Sequence, residues 1–148
     1  MPARVIDDSI YLSDKIKALK PEHRAEYSYL LPLTEANGVL EVNPGRIWAA
    51  AYSYHREGID IEWVRDLLED LKQQDLLRTW EEVGKTWGWW VGIDKPGRLP
   101  SKEHLKRYKN LPPYPPLRIR EDSSVPDSPG PDLSGTGPVL KGIGIGLV

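Results

Sequence analysis

From Asp60 to about Gln74 the apolar residues Ile61, Val64, Leu67, Leu68 and Leu71 recur at intervals of three and four, with charged residues between them. That is the period of an amphipathic helix, and Asp60 is its expected N-cap. Directly afterwards Leu76-Leu77-Arg78-Thr79-Trp80 shifts toward a period of two, and Trp87-Gly88-Trp89-Trp90-Val91-Gly92-Ile93 returns after a turn near Gly84-Lys85-Thr86. This pattern predicts a β-hairpin with a glycine-containing loop. Upstream, an apolar run from Ile6 to Leu12 leads to a helical turn, Asp14 to Leu19, for which Ser13 is the expected cap. Pro21 suits the first position of a helix that continues on Ala25, Tyr29, Leu30 and Leu33 and ends around Glu35 to Gly38. Pro32 removes a backbone donor inside that pattern, so a kink or an early stop is expected there. After Asn37-Gly38, residues Val39 to Val42 read as a very short strand that breaks at Asn43-Pro44-Gly45. Pro44 then opens a helix reaching about Tyr54, with Ile47, Trp48 and Ala51 inward.

Three helices, a small strand after the first of them and a closing hairpin predict an α+β fold, a winged helix-turn-helix with a three-helix core and a C-terminal β-hairpin wing. The division expected is a winged-helix domain over residues 1–94, a basic arm over 95–111 and a tail over 112–148. In the arm, Ser101 is the expected cap of a short helix ending near Lys109. The tail has prolines at 112, 113, 115 and 116, then a Ser-, Pro-, Gly- and Asp-rich stretch to Pro138. Such a composition lacks the apolar residues that offset chain entropy, and disorder is expected. Residues Val139 to Val148 alternate Gly and Ile and are open to several readings: a strand, a docking peptide or no order.

A set of pieces in fixed order carries a family resemblance. They are Leu12-Ser13-Asp14-Lys15-Ile16-Lys17-Ala18-Leu19, Glu35-Ala36-Asn37-Gly38-Val39-Leu40, Val64-Arg65-Asp66-Leu67-Leu68-Glu69-Asp70-Leu71, Gly84-Lys85, and Lys95-Pro96-Gly97-Arg98-Leu99-Pro100-Ser101. Through them Ile10 to Ser101, about two-thirds of the chain, resembles the N-terminal domain of phage and prophage replication-initiation proteins, the replisome organisers. The resemblance implies a winged helix that binds origin DNA, and a second, C-terminal domain that recruits helicase-loading partners. This chain has a short tail where that second domain would stand, so a small regulator or an orphan domain is the alternative expectation.

With 148 residues, 39% of them hydrophobic, the chain has room for one ordinary core. A formal net charge of -2 is unfavourable for a phosphate binder. The distribution is uneven, however: Lys95, Arg98, Lys102, Lys106, Arg107, Lys109, Arg118 and Arg120 face the single acid Glu103 between positions 95 and 120, a local +7. The helix from Asp60 is the reverse, with Glu62, Asp66, Glu69, Asp70 and Asp75 against Arg65 and Lys72. An acidic helix repels DNA, so a solvated or protein-docking face is the plainer reading of it. The absence of cysteine excludes a disulfide framework and fits a cytoplasmic location. No apolar run approaches the ~20 residues that cross a bilayer, so no membrane association is expected.

The candidate DNA contacts are therefore Arg46 and Arg56 at the ends of the alanine-rich helix, Lys85 at the wing tip, and Arg98, Lys102, Lys106 and Arg107 in the arm. For Lys85 the plainer role is a solubilising turn residue, and for the arm a solubilising linker. Trp87, Trp89 and Trp90 crowd one strand, Trp87 and Trp89 on one side and Trp90 on the other. One side can pack on the helices, leaving the other to stack on a base or bury in a partner. The plainer reading puts Trp48, Trp63, Trp80 and one face of that strand in the core.

No catalytic residue, cofactor or metal is expected. Gly84-Lys85-Thr86 lacks the glycine at 79 and the following helix of a phosphate-binding loop, and Gly142, Gly144 and Gly146 lack the helix of a dinucleotide site. His23, His55 and His104 lie too far apart for a helical metal pair. Two binding functions remain: double-stranded DNA contact in replication initiation or its control, or a winged helix that docks on a replication protein or a second copy of itself. Cations lined along one folded face would favour DNA. Acids interrupting that face would favour the adaptor.

Overall fold

The computed structural model describes residues 8–121, which form six helices and a three-stranded antiparallel sheet. The helices are α1 (Asp14–Lys17), α2 (Glu26–Leu30), α3 (Pro44–Ile47), α4 (Ile61–Gln73), α5 (Lys102–Leu105) and α6 (Leu117–Arg120). The strands are β1 (Val39–Glu41), β2 (Leu77–Glu82) and β3 (Lys85–Trp90), in sheet order β1-β3-β2.

Local chemistry sets most boundaries. The Ser13, Asn43, Asp60 and Ser101 side chains each accept from the backbone N–H three residues on, opening α1, α3, α4 and α5. The helix expected from Pro21 is broken into a 3-10 turn (Pro21–His23), α2 and a second 3-10 turn (Leu31–Leu33) whose first turn holds Pro32. The stop expected at this proline thus falls at Leu30. The apolar run before Ser13 is a 3-10 turn over Asp8–Leu12, its first residues lying outside those described. α3 runs on into a π-helical turn, Trp48–Tyr52, with the Trp48 indole N–H bonded to Ile59 O at 2.7 Å.

β2 and β3 are joined by Val83 and Gly84, with φ of 55° and 73°. Two successive left-handed residues match the twist of a tight hairpin. Lys85 is therefore the first residue of β3, and the turn itself is Val83-Gly84. Gly88 sits where the sheet is most crowded: a Cβ there would stand 2.6 Å from Val42 Cγ2 and 3.0 Å from Leu77 Cδ1.

Alternation along β3 sends Trp90 to one side of the sheet and Trp89 to the other. Trp90 is 0% exposed, donates its indole N–H to Thr34 Oγ1 at 2.8 Å and meets the Tyr27 ring edge-on. Trp89 is just as enclosed, at 1%. Its cover comes from beyond the hairpin. Gly38 closes on the indole, with Leu99 beside Gly38, and Tyr114 meets it edge-on at 6.0 Å between centroids. Asn37 Nδ2 holds Pro112 O at 2.8 Å, Pro115 is buried, and Ile119 of α6 is 5% exposed. Arg78 on β2 donates to the carbonyls of Ile119 and Glu121 and makes two 2.9 Å bonds to Asp75, clamping the strap to the corner after α4.

Residues 112–121, expected at the start of a disordered tail, are thus a packed strap over the second face of the sheet. On the side of β3 expected to be exposed, Trp89 is enclosed for the same reason, while Trp87 stays half-buried. Residues 122–148, including the Gly- and Ile-alternating end, lie outside the described residues.

A buried polar pair ties α4 to the N-terminal turns. His23 is fully enclosed, with Nδ1 2.8 Å from Asp70 Oδ2, and Lys20 N–H donates to the same oxygen at 2.9 Å. Burial pushes the Asp70 carboxyl up, but the His23 and Lys20 hydrogen bonds outweigh it and hold it below the ordinary range. A lowered folded-state value stabilises the fold above the unfolded value of about 3.9, and the gain disappears as pH falls through the folded value.

Two outcomes are expected. Asp70→Asn lowers stability at pH 7 by about 1–3 kcal/mol and flattens the loss of stability below pH ~4, read from urea midpoints across pH. Ile119→Ala costs about 2–3 kcal/mol by urea unfolding, whereas a side chain in a loose tail would cost nothing measurable.

Candidate nucleic-acid interface

The expected contact residues fall into three separate environments. At the hairpin end, Arg46 Nε and Lys85 Nζ approach the same carboxylate oxygen, Glu41 Oε1, at 3.9 and 3.8 Å. Lys85 also lies 5.8 Å from the centre of the Trp87 ring. Trp87 is half-buried and donates its indole N–H to Glu82 O at 3.0 Å. Glu81 and Glu82 are exposed on the opposite strand. Two cations among three acids cannot make a continuous phosphate-binding ridge.

Arg56 is engaged by the protein itself. Glu26 of α2 is buried and accepts from Tyr52 Oη at 2.7 Å and from Arg56 Nη2 at 2.9 Å. The guanidinium lies 5.1 and 5.3 Å from the Tyr29 and Tyr52 ring centres. Its pKa is raised chiefly by the hydrogen bond to Glu26, and the Tyr52 hydroxyl is pushed far above its ordinary range by burial and then by the Glu26 bond. Sequence reading offered Arg56 as a DNA contact because it ends an alanine-rich helix. The tertiary position of Glu26 gives it another task.

The outer face of α4 is not cationic either. Its two basic residues pair within the helix, Arg65 with Glu62 at 3.4 Å and Lys72 with Glu69 at 2.9 Å. Asp66 is answered by Lys20 at 2.8 Å, and Lys20 is raised from its ordinary value chiefly by that hydrogen bond.

The arm differs. Lys102, Lys106 and Arg107 are exposed on and just after α5, and Arg98 donates from Nη1 to Gly92 O at 3.1 Å. Between the outgoing pass 94–105 and the returning strap lies a cleft of about 850 Å³ whose lining includes Lys95, Lys102, Arg120, Leu99, Leu105 and Tyr114. Asp94 is the one acid in that lining. The strap therefore brings Arg120 and Tyr114 to the arm cations. Lys95 and Arg120 were visible only as part of a charge count, and Tyr114 stood in a proline run with no sequence signal for packing.

Of the three hairpin tryptophans expected to meet a partner, Trp89 and Trp90 are core residues and Trp87 alone keeps accessible surface. Among the described residues no group of three or more His, Asp or Glu side chains is placed to hold a metal ion, and no helix is long and apolar enough to cross a membrane. Compared with known protein families, curated proteins and solved structures, the chain matches none of them.

Arg56→Ala leaves the Glu26 carboxylate buried without its ion partner and is expected to cost about 3 kcal/mol. Arg46→Ala removes an exposed pair whose atoms stand 3.9 Å apart and is expected to change stability by less than ~0.5 kcal/mol. Denaturant unfolding of the two variants side by side checks the assignment.

Proposed function

We propose that the chain is a cytoplasmic winged-helix protein that binds rather than catalyses, contacting double-stranded DNA through its arm and serving replication initiation or its control. The fold part rests on the order helix, strand, helix, helix, hairpin, and on β1 pairing with β3 so that the sheet runs β1-β3-β2. The phage and prophage link rests on the replisome-organiser resemblance of Ile10 to Ser101. The observation that carries the DNA reading is the arm: Lys95 and Lys102 are exposed in the lining of a cleft whose one acid is Asp94, and Lys106 and Arg107 are exposed just after it, with Glu103 the single acid among them. Lysines and arginines held on a packed scaffold attract phosphate without reading sequence. In this reading Arg46 and Lys85 are secondary contacts, Arg56 is structural, and α4 stands away from the DNA.

A second reading has its own support. Glu41, Glu81 and Glu82 interrupt the hairpin face, and the basic residues of α4 are held in pairs along the helix. Such a surface suits an adaptor that docks on a replication protein or on a second copy of the chain, with half-buried Trp87 at its edge.

Removing everything beyond Asp94 would uncover Trp89, so the test uses charge reversal in the full chain. Anisotropy of a labelled random duplex is measured from ~50 to ~200 mM salt for the wild type, for Lys102→Glu/Lys106→Glu/Arg107→Glu and for Arg46→Glu/Lys85→Glu. Expected are steep weakening with salt, loss of about 2–3 units of the log–log slope in the arm variant and a smaller loss in the hairpin variant. No binding at ~50 mM salt and tens of micromolar protein would overturn the DNA reading and leave the adaptor in front.

A further inference from the structure

The arm cleft is more than a basic surface, because its walls are of two kinds. Part of the lining is apolar: Leu99, Leu105 and the ring of Tyr114, which is 53% exposed and has the Arg120 guanidinium over one face. The rim is cationic, with Lys95 and Lys102 exposed and forming no ion pair among the described residues. Arg120 is held in place: Nε donates to Pro115 O at 3.0 Å and the guanidinium carbon lies 4.9 Å from the Tyr114 ring centre. Tyr114 is itself braced edge-on against buried Trp89. A duplex presents phosphates but keeps its base faces stacked, so it can use the rim and not the apolar wall. An unpaired nucleotide presents both. The volume, about 850 Å³, lies in the range of small-ligand pockets and admits a nucleotide.

We infer that this cleft takes an unpaired nucleotide of a single-stranded segment, its base laid against Tyr114 and Leu105 and its backbone phosphate on Lys95 and Lys102. The inference rests on the arm-bound nucleic-acid reading and names the strand form that the site prefers. Exposed Lys106 and Arg107 remain available to phosphates of adjoining duplex.

The test compares three labelled probes on the full chain at one salt concentration: a 12-nucleotide thymidine oligomer, an abasic oligomer of the same length and a 12-base-pair duplex. The thymidine oligomer is expected to bind about tenfold more tightly than the abasic one, which has the same phosphates and no bases. Tyr114→Leu keeps an apolar cover on Trp89 and is expected to erase that advantage while leaving abasic binding within about twofold. Lys95→Glu/Lys102→Glu changes only exposed residues and is expected to weaken thymidine and abasic oligomers alike. Equal binding of the thymidine and abasic oligomers by the wild type, with duplex binding intact, overturns this inference and leaves the DNA reading standing. Failure of all three probes to bind overturns both.

Discussion

β3 has a large aromatic side chain on each of its faces, and neither Trp89 nor Trp90 meets water. An antiparallel sheet can leave one face wet when its residues alternate between apolar and polar. Here adjacent tryptophans forbid that, since either face left open would expose an indole whose burial is a major part of a small core. The helices cover Trp90, and the rest of the chain must supply the other cover. Leu99, Tyr114, Pro115 and Ile119 supply it, with Asn37 and Arg78 fixing the strap by backbone carbonyls.

The cationic part of the chain thereby becomes part of the domain. A free arm pays the entropy of ordering each lysine when it meets a phosphate. The strap here places Arg120 beside Tyr114 across a cleft from Lys102 before any ligand arrives. Elsewhere the charges are neutralised internally: Glu26 takes Arg56, Glu41 draws Arg46 and Lys85, and the basic residues of α4 serve its own acids. A net charge of -2 is thus compatible with a basic arm, because between positions 95 and 120 eight lysines and arginines stand with the single acid Glu103.

Elements whose causes lie within a few residues were legible. The helix from Asp60, the Ser13 and Ser101 caps, the stop at Pro32 and the hairpin around Gly84 each follow from side-chain period, a bond over three residues, a missing donor or a left-handed turn. The arm's charge was legible too, since a count of lysines and arginines needs no fold. The packed strap was not, because a run of prolines has no amphipathic period and its few apolar residues acquire meaning only opposite Trp89. The bond of Arg56 to Glu26 was not legible for a similar reason: Glu26 lies thirty residues away and nothing local joins them.

The order of helices and strands, their caps and turns, and the position of the positive charge along the chain can be read from residues alone, because they depend on neighbours within about one turn or one strand pair. Which tryptophans face solvent, which arginines are internal partners and the cleft beside the arm emerge in the folded chain alone. Those outcomes depend on contacts between distant segments, which are set by the need to bury both faces of one short sheet.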